Sequence, residues 1–294
     1  MRKGFLTIAI GKKYHKMAKT LIQSYRIVQE NTIPFGVVTE EGSWCEGLFD
    51  DTIRVDESQG SYLNKLNLYD YTPYDETIFI DCDSMVVCDI SNWFTFFEGS
   101  CVDMSVLGTN LPINHENASK LLSPRAIAVL GLTRYIDFNG GVYYFFKNNR
   151  SRAIFERAKS LVPVYLDLQL HSFGGRMGDE PLMEVAMIEA GVFATADYEK
   201  NKMYCTPGMK GLKIDLRKRV CEAVKYEYRV YPSVLHWGTA KTSFPLYKRE
   251  ALKAKMLYYG LPGWIVDLIS TMFYRVLQVR HRIIKKGIFA ARKH

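Results

Sequence analysis

The sequence predicts an α/β fold: a mixed, mostly parallel sheet flanked by helices, with an amphipathic helix added at the C-terminus. Three observations carry this. Over the first 83 residues β-prone runs and helical patterns follow one another as β-α-β-(β)-α-β, the order expected of strands joined by crossovers. One of these runs, Ile78 to Ile80, reads as a buried strand that runs straight into Asp81-Cys82-Asp83. Beyond Leu261-Pro262-Gly263, residues Trp264 to Ile288 place apolar side chains at helical spacing with basic residues beside them.

Phe5 to Ile10 is a β-rich run ending at Gly11, and Tyr14, Met17, Ala18, Leu21, Ile22 and Tyr25 then share one helical face. Ligands of open α/β sheets bind beyond the carboxyl ends of the strands, so Gly11 to Tyr14 is a candidate ligand-facing loop as well as an ordinary first βα unit. Neither a dinucleotide-binding glycine fingerprint nor a P-loop is present. Pro34 to Thr39 reads as a second strand and Ile53 to Val55 as a short third. Ser61 to Tyr71 reads as a helix containing Lys65 and closed by Pro73. Met85 to Val87 is a further short apolar run, and Asp103 to Gly108 a further strand. In Ile136 to Phe146 two glycines precede a strongly β-prone run, which reads as a turn into a strand and also permits close backbone approach to a ligand. Asn149 to Leu161 is a helix, Gly174 to Gly178 a loop, and Asp179-Glu180-Pro181 opens a helix through Ala190. There Asp179 suits an N-cap as well as a ligand contact. Val192 to Thr195 reads as another short strand, and a last apolar strand ends at His236.

With 294 residues, 48% of them hydrophobic, the chain suffices for one large domain or two modest ones. Its net charge of +8 is uneven: residues 261–294 hold seven basic side chains against one acid, leaving +2 for the first 260. A basic tail on a nearly neutral body argues against a nucleic-acid groove across the main domain. The six cysteines show no C-x-x-C pair and no zinc-like spacing, which suits reduced thiols in the cytoplasm. No stretch is apolar for the ~20 residues of a spanning helix, and none has the form of a signal peptide.

An unpaired buried charge is costly, so two acids at the end of a buried strand call for a cation. If the chain stays extended, Asp81 and Asp83 point to one side and can share a metal. Carboxylate oxygens suit Mg²⁺ or Mn²⁺, ions that bridge to nucleotide phosphates. Standing alone, the pair would read as solvated turn acids. In Tyr231 to Thr242 a histidine ends an apolar strand and is followed by glycine and lysine. Imidazole from His236 can complete a metal site begun by carboxylates. Gly238 leaves room for a phosphate, and Lys241 offers it a point charge.

Taken in order, these pieces resemble glycosyltransferase family 8, the group of glycogenin and bacterial lipopolysaccharide galactosyltransferases, through roughly residues 5–245. Four landmarks carry the resemblance. Ala9 to Tyr14 stands where the family has an Ala-Thr-Asp/Asn-Asp-x-Tyr-like loop. Lys65 precedes Tyr74-Asp75-Glu76-Thr77-Ile78-Phe79-Ile80-Asp81-Cys82-Asp83, a tyrosine-led strand into D-x-D. Phe138-Asn139-Gly140-Gly141-Val142 is similar to Phe-Asn-Ser-Gly-Val. His236-x-Gly238-x-x-Lys241 is similar to His-x-x-Gly-x-x-Lys, one residue shorter. Gly11-Lys12 stands where the family often has acids that read uracil.

The resemblance implies a GT-A fold over residues 1–255 and transfer of a sugar from a nucleotide-diphosphate donor, usually a UDP-sugar, to a glycan or glycolipid acceptor, with retention. It implies Mn²⁺ (or Mg²⁺) on Asp81, Asp83 and His236. Donor contacts would come from Ala9, Ile10, Gly11, Tyr14, Lys65, Asp81, Cys82, Asn139, Gly140, Gly141, Gly238 and Lys241. Asp179 would hold the transferred sugar, and Glu180, where the family has Gln, is a candidate nucleophile. The tail, residues 256–294, presents Ile265, Leu268, Ile269, Met272, Phe273, Val276, Val279 and Ile283 beside Arg275, Arg280, Arg282, Lys285 and Lys286. That pattern suits either a helix packed on the core or one lying on an anionic membrane through residues 264–293, on the cytoplasmic face. Two other readings of the chain are an inactive GT-A module at a membrane surface and a sugar nucleotidyltransferase. The latter usually opens with a Gly-rich loop that Phe5 to Lys16 lacks.

Overall fold

The computed structural model describes residues 1–31, 33–56, 63–99, 103–115 and 121–291, with backbone alone from 285. The chain runs β1 (Lys3–Ile8), α1 (Lys12–Val28), β2 (Phe35–Thr39), β3 (Asp51–Arg54), α2 (Leu68–Tyr71), β4 (Glu76–Ile80), β5 (Ser84–Val86) and α3 (Trp93–Glu98). It continues through β6 (Met104–Pro112), α4 (Pro124–Leu130), β7 (Arg134–Phe146), α5 (Asn149–Ser160) and α6 (Asp179–Glu189). After α6 come β8 (Met203–Cys205), β9 (Lys210–Asp215), β10 (Val220–Lys225), β11 (Tyr228–Val230), β12 (Val234–His236), α7 (Pro245–Tyr258) and α8 (Gly263–Ala291).

The main sheet has the order β3-β2-β1-β4-β7-β6. Strands β3, β2, β1 and β4 are parallel, and β7 runs antiparallel to both neighbours. This is the mixed, mostly parallel sheet that the alternating pattern predicts. Its inner strands β1, β2 and β4 bury both faces, and the period of two divides them. Phe5, Ile78 and Ile80 join a core under α1 and α3, while Leu6, Phe79, Tyr143 and Phe145 join one under α5 and α6. Two smaller sheets, β5-β12-β8 and the meander β11-β10-β9, complete the body. The first of these matters most, because it sets the end of β12 beside the end of β4.

Several local expectations change. Val192 to Thr195 is not a strand. The Asn110 side chain bonds Ala194 at both its N–H (2.9 Å) and its C=O (3.0 Å), taking the groups a ladder would use, and Thr195 makes only an isolated bridge to Leu107. The Lys65 helix is a tight turn, Leu63–Asn67, followed by the single turn α2; Ser61 lies outside the described residues. Gly140 and Gly141 lie inside the continuous strand β7 rather than in a turn before it. Gly178 is the N-cap of α6 and Asp179 its first residue, so Asp179 does not cap. Cys45, Cys82, Cys88, Cys205 and Cys221 are free thiols, and Cys101 lies outside the described residues.

Helix α7 runs unbroken across residue 255 and packs against α1 and α8. The first turns of α8 are anchored to the body by buried Val266 and Ser270 and by an Arg217–Asp267 ion pair at 3.0 Å. Further along, Leu268, Met272, Val276, Val279, Ile283 and Ile284 are exposed, with Val276 at 66%. The apolar stripe read from the sequence therefore does not pack on the core. The basic side chains Lys285, Lys286, Arg292 and Lys293 lie outside the described ones. Among the described residues no helix is long and apolar enough to cross a membrane.

Candidate active site

Strand β4 delivers Asp81 to the carboxyl end of the main sheet, where the Asp81 N–H donates to Gly141 O on β7 at 2.9 Å. The chain then turns at once, with the Ser84 N–H bonded to Asp81 O at 3.0 Å. Asp81 and Asp83 thus converge through a tight turn, not through the alternation of an extended strand. Strand β5 leaves that turn and pairs antiparallel with β12 in a register that sets Ser84 opposite His236. Residues more than 150 apart in sequence are brought to one point in this way.

His236 Nε2 lies 3.1 Å from Asp83 Oδ1 and 3.6 Å from Asp81 Oδ2. One ligand atom from each of the three side chains falls within 4.8 Å of the others, a spacing that a single ion can bridge. Lys65 Nζ donates to Asp81 Oδ2 at 2.9 Å and to Gly140 O at 2.8 Å, and stands 3.6 Å from Asp179 Oδ2. Asp179 Oδ2 also accepts from the Tyr143 hydroxyl at 2.8 Å, and Glu180 Oε1 accepts from the Gly140 N–H at 2.6 Å. A Cβ on Gly140 would come within 2.9 Å of Asp179 Oδ2 and 2.8 Å of Glu180 Cγ, so that position is clear to admit α6's two acids.

The electrostatics are unbalanced. Asp81, Asp83, Asp179 and Glu180 converge on Lys65 and His236 alone among the described basic groups at this point. Burial pushes the Asp81 carboxyl up, and neighbouring Asp83 adds to it although Lys65 opposes. Burial and then Asp179 push Glu180 up. Burial would raise Asp83 too, but His236 and the Thr239 hydroxyl hold it below the usual range. Burial alone would lower His236 and Lys65. The acids around them reverse this and raise both. Asp83 Oδ1 is buried and, despite His236 at 3.1 Å, has no aligned hydrogen-bond donor. A surplus of buried carboxylate, an oxygen without a donor, and an oxygen–oxygen–nitrogen set facing one point together fit a divalent cation. Asp81, Asp83 and His236 are the residues that could hold it.

The group opens into a cleft of about 430 Å³. Ile10, Tyr14, Lys65, Asp81, Cys82, Asp83, Asp179, Glu180, His236, Gly238 and Lys241 all line it. Ala9 is buried in the core, and Gly11, in a left-handed conformation (φ 96°), gives its N–H to Glu40 at 2.8 Å. Asn139 to Gly141 stand behind the lining, where Asn139 Oδ1 meets His236 Nδ1 at 2.9 Å. Two contributors were not legible beforehand. The Thr239 hydroxyl donates to Asp83 Oδ2 at 2.9 Å, and Tyr143 orients Asp179. Thr239 sits between Gly238 and Lys241, where its position was the only signal; Tyr143 looked like any strand aromatic.

No family model matches the chain, and no curated protein matches its sequence. Solved structures do. The galactosyltransferase LgtC, in complex with donor and acceptor sugar analogs, superposes with a TM-score of 0.52 at 14% identity, covering 88% of this chain and 96% of that one. Mouse xyloside xylosyltransferase 1 gives 0.46 at 11% identity over 69% of this chain and 88% of its own. The apo glycosyltransferase GlyE of Streptococcus pneumoniae TIGR4 gives 0.45 at 12%, over 69% of this chain; the chain spans only 46% of GlyE. The likeness to the galactosyltransferase establishes the fold, GT-A, that the resemblance implied.

Proposed function

We propose that the protein is a metal-dependent glycosyltransferase that moves a sugar from a nucleotide-diphosphate donor, a UDP-sugar by preference, to a glycan or glycolipid acceptor with retention of configuration. The observation that carries this is the convergence of Asp81, Asp83 and His236 in a cleft shared with Lys65, Lys241, Asp179 and Glu180. A Mn²⁺ or Mg²⁺ ion, when bound, supplies positive charge to the departing diphosphate. Lys241 adds a point charge for the same phosphates, and Gly238 leaves its approach open. Ile10 and Tyr14 receive the nucleoside end. Asp179, fixed by Tyr143 and Lys65, orients the transferred sugar together with the Gly140 region.

Glu180 is the carboxylate placed to meet the anomeric carbon. Its attack would form a glycosyl ester as the bond to the diphosphate breaks. The acceptor hydroxyl would then break that ester, losing its proton to solvent or product phosphate, with two inversions giving retention. Near-normal turnover by Glu180→Gln would remove the nucleophile role and leave the donor site intact.

We further propose that α8 lies on an anionic, cytoplasmic membrane surface. The exposed Trp264, Leu268, Met272 and Val276, beside Arg275, Arg280 and Arg282, support this over a role in core packing. An inactive membrane-surface module is the rival reading, and the buried charge cluster disfavours it, since such a module has no use for costly clustered acids.

A thermal-shift panel of nucleoside-diphosphate sugars, with and without Mn²⁺, tests the proposal. A donor at 100 times its Kd should stabilise the fold by about 2.7 kcal/mol, and only with the metal present. No shift with any donor, and no Mn²⁺-dependent donor hydrolysis, would reject it.

A further inference from the structure

We infer that Asn139 is a positioning residue that fixes the tautomer and ring orientation of His236, and so the shape of the Asp81–Asp83–His236 group; this rests on the reading of that group as a metal centre. The Gly141 N–H can only donate, and it lies 3.0 Å from one terminal atom of the Asn139 amide. A backbone N–H needs an acceptor, so that atom is the amide oxygen and not the nitrogen. The same oxygen lies 2.9 Å from His236 Nδ1. Two acceptors repel, so Nδ1 carries a hydrogen. The lone pair of the neutral ring is then on Nε2, the atom that faces Asp83 and Asp81 at 3.1 and 3.6 Å. Cys205 Sγ, 3.6 Å from Nδ1, is a weaker acceptor and does not substitute for the amide oxygen.

The glycine at 141 points the same way. Gly141 has no positive φ that would demand glycine. A Cβ at that position would instead sit 2.8 Å from Asn139 Oδ1, 3.1 Å from His236 Nδ1 and 3.1 Å from Met203 Sδ. The absence of a side chain at 141 is therefore clearance for the Asn139–His236 contact. The Asn-Gly-Gly run of β7 divides its work: Asn139 sets the histidine, Gly141 makes room for that contact, and Gly140 makes room for Asp179 and Glu180. Outer hydrogen bonds of this kind set which nitrogen of a histidine can ligate.

The test uses the full chain and three variants, Asn139→Leu, Asn139→Asp and Gly141→Ala, each checked for folding by circular dichroism. Mn²⁺ affinity is measured by electron paramagnetic resonance. Asn139→Leu, nearly isosteric but without an acceptor, should bind about 10–100-fold more weakly. Gly141→Ala should also bind more weakly. Asn139→Asp, which still accepts from both donors, should stay within about threefold of wild type. Long-range ¹H–¹⁵N spectra of the wild type loaded with diamagnetic Mg²⁺, with His236 assigned by His236→Gln, should show hydrogen on Nδ1 and none on Nε2. A ring protonated on Nε2, or undiminished Mn²⁺ binding by Asn139→Leu, would overturn the role of Asn139. A wild type that binds no Mn²⁺ would instead overturn the metal reading, while a metal-free ring without hydrogen on Nδ1 would separately overturn the Asn139 contact.

Discussion

At the floor of the cleft four carboxylates are taken out of water beside one lysine and one histidine; along α8 a row of apolar side chains is left in it. Both arrangements run against the ordinary preferences of their residues. The cleft meets part of the cost with internal pairing, through Lys65 bridging Asp81, Gly140 and Asp179, and what stays unmet is charge. The tail packs one face on the body, through its first turns and on to Tyr274 against Arg249 and His281 against Phe244, and what stays unmet is the apolar surface of its other face. The two regions thus call for different partners, a small cation in one and a broad apolar or amphiphilic surface in the other.

The largest effect is expected at the cleft, if its charge surplus serves a metal. Asp83→Asn removes a ligand oxygen and should reduce metal-dependent donor turnover by more than about 100-fold, the upper end of what even outer partners cost. Retained turnover at saturating Mn²⁺ would leave the surplus without a function. At the other region, Met272→Glu combined with Val276→Glu should weaken sedimentation with anionic vesicles, each lost apolar burial being worth about 1.5–3 kcal/mol. Unchanged co-sedimentation at low salt, with both residues exposed in the free protein, would mean α8 is not the contact.

A finer test separates ligand from support. Thr239→Val deletes the hydroxyl that donates to Asp83 Oδ2 and should weaken Mn²⁺ binding about tenfold, while Thr239→Ser should preserve it. Equal affinity of the two variants would demote Thr239 to a surface hydroxyl. The smallest effect concerns stability. Burial and Asp179 raise the Glu180 carboxyl, so the folded state holds its proton more tightly than the unfolded chain does. The resulting destabilisation is absent below the unfolded value, about pH 4, and is complete once pH has risen through the folded one. Glu180→Gln can still accept from Gly140, so it should raise Tm at about pH 7 and leave it unchanged below about pH 4. A lower Tm at neutral pH would contradict the sign.

How much of this was legible depended on the range of the interaction that fixed it. The alternation of strands and helices is a local pattern, and it gave the mostly parallel character of the sheet and the succession of β1, β2 and β4 along the chain, though not their order across the sheet. The residues that converge in the cleft were also readable, because Asp81, Asp83 and His236 each lie at the end of an apolar run or just beyond it. Their geometry was not: the turn after Asp81 replaced the extended strand, since β5 must pair with β12, and that pairing spans about 150 residues. Elements with weak patterns, such as the short helix α3, the longer α7 and the meander β9 to β11, were missed for the same reason; tertiary packing rather than periodicity holds them. Asn110 bonding Ala194 turned an apparent strand into a capped edge, which no local pattern announces. Supporting contacts such as Thr239 on Asp83 and Asn139 on His236 have no signature until the backbone is closed.

A metal-dependent transferase requires that the cleft's carboxylates and imidazole jointly hold one divalent ion for a nucleoside diphosphate. A titration of the full chain with Mn²⁺ in the presence of UDP, followed by electron paramagnetic resonance, tests this most directly. A single tight site that disappears in both Asp83→Asn and His236→Gln is the expected result. Mn²⁺ bound as tightly by those two variants as by the wild type would contradict it.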